Sequence, residues 1–244
     1  AGESPVTWRS GVKHDCASVM ELRNGEEGFH TAAGERLELE QEYVYPLLKS
    51  SDLAKGNVRT SRCCVILTQT RIGEETGHLA RDAPQLWRYL ISHTAAFEGR
   101  RSSIYRGKPR FSIFGVGDYT FAPWKVAISG LYKSLAFQLV GPIQGKPTVF
   151  DDTCYFLPFK TEAFARAAHS LLRTEEASAF LHALISWSDK RPVTKEVLNN
   201  LDIGALARLV GRRIAREADG GLQDALKALA AMRSAGESQT WLGV

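Results

Sequence analysis

The sequence predicts an α+β protein: an irregular mixed β-rich platform followed by a carboxy-terminal helical subdomain, with the change near residues 157–160. Three observations carry that expectation. Upstream, short β-branched and aromatic runs alternate with Gly, Pro, Asn and Asp punctuation. Downstream, apolar residues recur at the helical period. A chain of 244 residues, 44% hydrophobic and 24% charged, is long enough for one large core or two smaller ones. The expected division is therefore 1–159 and 160–244.

The expected strands are residues 18–22, 37–40, 62–67, 110–114, 126–128, 136–140, 148–150 and 154–157. Residues 42–48 and 84–96 read as helices. In the second, Leu86, Tyr89, Leu90 and His93 recur at helical spacing, and Asp82 offers an amino-terminal cap. Gly115 and Gly117, in GVGDY, suit unusual backbone angles or close backbone approach. Further helices are expected at 160–172, 175–185, 194–201, 203–218 and 222–232, the second capped by Thr174 beside two acids. Their aliphatic stripes, without any aromatic–basic concentration, point to a structural role as brace, lid or docking surface.

Charge is unevenly spread. Residues 99–135 hold seven basic residues against the single acid Asp118, a formal charge of +6 where the whole chain carries only +4. Tyr105, Phe111, Phe114, Tyr119, Phe121, Trp124 and Tyr132 interleave with those cations. Cationic, polar and aromatic groups on short bends suit a surface that grips phosphates and presses against bases. Arg106 stands beside the small donors Ser102, Ser103 and Tyr105, a set able to bond phosphates or base edges. Lys13, His14 and Asp15 follow Gly11 and could line a polar groove at a strand end. The competing view makes Phe111, Phe114, Phe121 and Trp124 core residues, with the cations merely coating the outside.

Several chemistries lack their signatures. There is no G-x-x-x-x-G-K-[ST] phosphate loop, no G-x-G-x-x-G fingerprint and no G-x-S-x-G nucleophile elbow. Asp151 and Asp152 are adjacent, so on a strand they would face opposite ways; an Asx-turn or a salt bridge is the simpler role. The histidines show no metal-ligand spacing, and no metal site is expected. Cys16, Cys63, Cys64 and Cys154 form no paired C-x-x-C motif and read as free thiols in a reducing cytosol. No run of about 18 apolar residues suggests a membrane span, and the amino terminus lacks a signal-peptide core. The expected location is cytoplasmic, and the abrupt start fits a piece of a longer protein, though an ordinary protein can also begin this way.

The run RSSIYRGKPRFSIFGVGDYTFAPWKVAISGLYKSLAF, continued by GKPTVFDDTCYFLPF, resembles the carboxy-terminal target-recognition (specificity) region of adenine-specific DNA methyltransferases from restriction–modification systems. SGVKHDCASVMEL and EYVYPLLKSSDL resemble that family's entry strand and the Pro-Leu-Leu-Lys, then Asp, segment that opens the specificity domain. SDKRPVTKEVLNNLDI resembles the Lys-Arg-Pro segment that follows two helices there. Together these motifs span residues 10–203.

The resemblance implies a recognition platform that selects the sequence and clamps double-stranded DNA while the parent enzyme methylates adenine N6. The family's S-adenosylmethionine-binding glycine motif and its Asn/Asp-Pro-Pro-Tyr/Phe motif do not occur here. This chain alone is thus expected to be no enzyme and to hold no cofactor. S-adenosylmethionine would belong to a catalytic domain elsewhere in the parent or on a partner. The implied phosphate contacts are Lys13, Arg100, Arg101, Arg106, Lys108 and Lys125. Ser103, Tyr105, Arg110, Tyr119 and Trp124 are groove or packing candidates, with His14 and Ser102 beside them. Two other readings stay open: a restriction endonuclease or fused restriction–methylation fragment, and a helical protein-interaction module.

Overall fold

A computed structural model describes residues 6–25 and 28–232. In chain order the first elements are β1 (Arg9–Ser10), α1 (Ala17–Met20), β2 (Glu21–Gly25), β3 (Gly28–His30), β4 (Arg36–Leu37) and β5 (Val44–Leu48). Then come α2 (Ser50–Lys55), β6 (Cys63–Ile66), α3 (Leu79–Asp82), α4 (Pro84–Ser92) and α5 (Thr94–Glu98). After a long irregular stretch follow β7 (Trp124–Ser129), β8 (Gln138–Val140), β9 (Val149–Phe150) and β10 (Cys154–Phe159). The remainder is helical: α6 (Glu162–Leu172), α7 (Glu175–Leu184), α8 (Lys195–Asn199), α9 (Ile203–Ala215) and α10 (Gly220–Ala231). The protein is α+β, a β-rich part followed by helices.

The strands form two sheets. One is antiparallel in the order β1-β10-β7-β8; the other runs β4-β3-β2-β6-β5-β9 and is antiparallel except for the β5–β9 pair. In the first sheet Phe156 opposes Ala127 and Leu157 opposes Val126. Because successive side chains alternate faces, Val126, Ile128, Tyr155, Leu157 and Phe159 turn to the helices, while Ala127, Cys154 and Phe156 turn toward Leu48, Leu53 and Phe150. A sheet covered on both faces reads as an apolar run without alternation, which is why WKVAIS and CYFLPF look uniformly buried. Helix α6 lies on β7, β8 and β10, and α9 and α10 pack on α6. A third core joins the second sheet to α3, α4 and α5 and to Phe111, Ile113 and Val116.

The five carboxy-terminal helices stand where the period places them. Thr161, Thr174, Thr194, Asp202 and Asp219 each cap one by accepting an amide hydrogen bond from its first turn. Upstream, six expectations need correction. Residues 42–48 are not a helix: a 3-10 turn at Gln41–Tyr43 leads straight into β5, where Pro46 would break a helix and Val44, Leu47 and Leu48 are buried in the sheet. Residues 18–22 begin as α1 before becoming β2, and the 37–40 strand shrinks to Arg36–Leu37.

Residues 110–114 form no strand; Phe114 makes a single bridge to Lys13. Side chains replace the missing neighbour there, since Gln69 accepts the Ile113 N–H (2.8 Å) and Thr68 donates to the Phe111 carbonyl (2.6 Å). Residues 84–96 divide at His93 into α4 and α5. Their cap is not Asp82, which pairs with Arg81, but Glu40, whose carboxylate accepts the amides of Gln85 and Leu86 at 2.9 Å each.

Candidate nucleic-acid interface

A backbone crossing positions the site. Residues 11–13 thread between the end of β9 and the irregular 110–117 segment: Val12 donates to the Phe150 carbonyl (2.7 Å), and Lys13 and Phe114 exchange backbone hydrogen bonds at 2.9 Å. Gly11 is required there, because a Cβ would lie 2.0 Å from the Asp151 carbonyl oxygen. Lys13 and His14 are thereby fixed beside the basic segment.

Arg100 ties that segment together. Its guanidinium donates to the carbonyls of Ser112 (2.7 Å), Arg110 (3.2 Å) and His14 (3.4 Å), and its Nε donates to Phe97 (3.1 Å). It also stacks 3.7 Å above the Tyr105 ring. Burial holds the guanidinium below its ordinary pKa and pushes the Tyr105 phenol well up. The Tyr105 hydroxyl is buried with no hydrogen-bond partner among the described residues. The resemblance implies Arg100 as a phosphate cation, yet its donors are spent on carbonyls, and the geometry makes it a brace for the loop.

From this braced loop Arg101, Arg106, Lys108 and Arg110 project into solvent, as does Ser103, while Ser102 is half-buried. None of the four cations makes a side-chain hydrogen bond or ion pair with another described residue. Lys13 joins them under restraint, with its ammonium 2.6 Å from Asp15 and 3.7 Å from Asp152. Such unpaired cations on a fixed loop can exchange water for phosphate oxygens without first breaking internal contacts.

Other expected residues lie inside. Lys125 is 1% exposed, and its ammonium donates to the carbonyls of Ala122 and Thr148 at 2.7 Å each. Its position on β7 turns it to the sheet face it shares with Ala127 and Phe156, so it is no surface cation; burial depresses its pKa to about 7. Trp124 is half-buried against the helix-side core, and Tyr119 packs on Phe156 with Arg9 above its ring.

His14 is buried: its Nδ1 accepts the Cys16 N–H (3.2 Å), and its Nε2 faces Glu21 at 3.5 Å. Burial alone raises the Glu21 pKa, but hydrogen bonds from His14 and Lys49 outweigh it and the net shift is downward. This Lys49–Glu21–His14 chain joins β2 to the loop before α2, and no local motif announces it. Asp151 and Asp152 diverge. Asp151 accepts from the amide (3.2 Å) and hydroxyl (2.6 Å) of Thr153 in an Asx-turn, while Asp152 faces Lys13. All four cysteines are free, and no described helix is long and apolar enough to cross a membrane.

No family model matches the chain. Over 208 residues it is 46% identical to the Type II methyltransferase M.NspV of Nostoc sp., a match covering 85% of this chain and 43% of the relative. The chain is thus similar to part of a larger methyltransferase and spans less than half its length. A DNA complex of the Type IIL restriction-modification enzyme MmeI is similar at a TM-score of 0.44 and 10% identity, over 92% of this chain and 31% of that one. A likeness at that level defines neither fold nor activity.

Proposed function

We propose that this chain is the DNA target-recognition portion of an N6-adenine DNA methyltransferase of a restriction–modification system. The observation that carries the reading is the 46% identity to M.NspV across 85% of this chain, a share that is only 43% of the relative. The unpaired cations Arg101, Arg106, Lys108 and Arg110, on a loop braced by Arg100, add the physical means to hold a duplex. In this reading they and Lys13 set the register on phosphates, and Ser103 reaches the groove. Methyl transfer, with S-adenosylmethionine, belongs to the catalytic portion, and no step of it is assigned to residues of this chain. An extruded base needs a catalytic pocket as well as a duplex clamp, and this chain supplies the clamp.

Selection from a pool of randomised DNA duplexes with the purified 244-residue chain tests the reading. The expected result is enrichment of one short motif containing adenine, retained when the selection is repeated at higher salt. Retention of all sequences alike, or of none, would overturn it.

A further inference from the structure

The helical part sends one turn to the end of the sheet where the Asp151–Thr153 turn lies, and Gly130 marks the junction. Its N–H donates to the Thr153 carbonyl (2.8 Å). A Cβ at this position would lie 2.7 Å from the Tyr155 ring and 3.2 Å from the Val193 carbonyl oxygen. Three segments therefore meet here: the tip between β7 and β8, the Asp151–Thr153 turn, and the turn that ends at Val193.

Each segment is anchored. Ser129 Oγ accepts the amides of Leu131 (3.1 Å) and Tyr132 (3.4 Å), Asp151 holds Thr153, and Val193 is fully buried in the helix-side core. Beyond the anchors the side chains are exposed. Leu131 and Tyr132 are 37% and 42% accessible, and Lys133, Lys190 and Arg191 stand in solvent. Asp152 connects the two regions, since it lies 3.7 Å from Lys13 and directly precedes Thr153, whose carbonyl accepts the Gly130 N–H.

We infer that Lys133, Lys190 and Arg191 form a second phosphate-binding wall of the DNA surface, contributed across the junction by the tip of the sheet and the helical part. The inference rests on the DNA reading proposed above. Cations from two parts of the chain, joined through the Asp151–Thr153 turn, can engage phosphates on both strands of a duplex. Leu131 and Tyr132 then offer apolar surface to the sugar edges between them. Asp189 and Glu196 flank the Lys190–Arg191 turn, so this wall carries a smaller share of the attraction than the 101–110 loop.

The test is the salt dependence of binding to a mixed-sequence DNA duplex, using the full chain and two double variants. One is Lys133→Ala with Lys190→Ala, both exposed and without side-chain partners among the described residues. The other is Arg106→Ala with Lys108→Ala. Each lost phosphate contact should make the slope of log K against log salt shallower by about 0.9, or roughly 1.8 for a pair. A Lys133/Lys190 variant with the native affinity and slope, beside a weakened Arg106/Lys108 variant, overturns the second wall alone. A native chain with no salt-dependent DNA binding overturns the DNA reading and the wall with it.

Discussion

Gly115 crosses Gly11 so closely that a Cβ on Gly115 would lie 2.3 Å from the Gly11 carbonyl oxygen. Gly115 also has a φ of +70°, in the left-handed region that side chains disfavour. The crossing holds Lys13 against Phe114 and so aligns the amino-terminal cation with the basic loop. Two separate demands, backbone angle and space, fall on one residue.

Comparison with Gly107 separates those demands. Gly107 has a similar φ of +66° but open space around it. Gly107→Ala should cost about 1 kcal/mol from backbone angle alone. Gly115→Ala should cost roughly 3 kcal/mol or more, because backbone must also move away from the new methyl. Urea unfolding of both variants measures the difference. Equal losses would mean that the crossing relaxes freely and does not fix the site.

Arg100 and Arg106 belong to one loop and one residue type, yet they should respond oppositely to Lys. Arg100→Lys keeps the charge but loses the planar fork that reaches four carbonyls and stacks on Tyr105. A loss of about 1.5–3 kcal/mol in unfolding free energy is expected. Arg106→Lys, at an exposed position without a side-chain partner among the described residues, should leave stability within about 0.5 kcal/mol of the native value. Unchanged stability in Arg100→Lys would remove the brace.

Those two arginines also show what was legible in the sequence. The concentration of cations in residues 99–135 was visible from composition, and the solvent-facing Arg101, Arg106, Lys108 and Arg110 lie within it. Nothing local distinguishes them from Arg100 or Lys125, whose burial depends on Ser112, Thr148 and Phe156 arriving from elsewhere in the chain. The helices after residue 160 were readable because each carries its own period and its own cap. The 110–114 segment reads as a strand, but its bonding partners, Gln69 and Thr68, are side chains more than forty residues away. For β5, burial on both faces mimicked a helix pattern, although Pro46 was a visible objection.

Glu40 caps α4 from 45 residues upstream. Its carboxylate sits below the ordinary range: burial pushes the pKa up, but the amides of Gln85 and Leu86 pull it down further. Glu40→Gln keeps the shape and removes the charge opposing the positive helix end. Loss of about 0.5–2 kcal/mol is expected, with faster amide exchange confined to the first turn of α4. Native protection at Leu86 in the variant would contradict a capping role.

Lys125 makes stability depend on pH. Burial depresses its pKa to about 7 in the folded protein, from an ordinary value of 10.5. Between those values the unfolded chain binds the extra proton, so the contribution of Lys125 to stability rises with pH through this window and is smallest below it. Burial raises the pKa of Cys16, Cys63, Cys64 and Cys154, which acts in the opposite sense once the thiols of the unfolded chain ionise. The difference between native protein and Lys125→Met cancels those shared terms. That difference should shift in favour of the native protein from about pH 7 to about pH 8.5, at no more than about 1.4 kcal/mol per pH unit. Urea midpoints across the interval measure it. A difference independent of pH would mean that the Ala122 and Thr148 carbonyls keep the buried ammonium charged throughout.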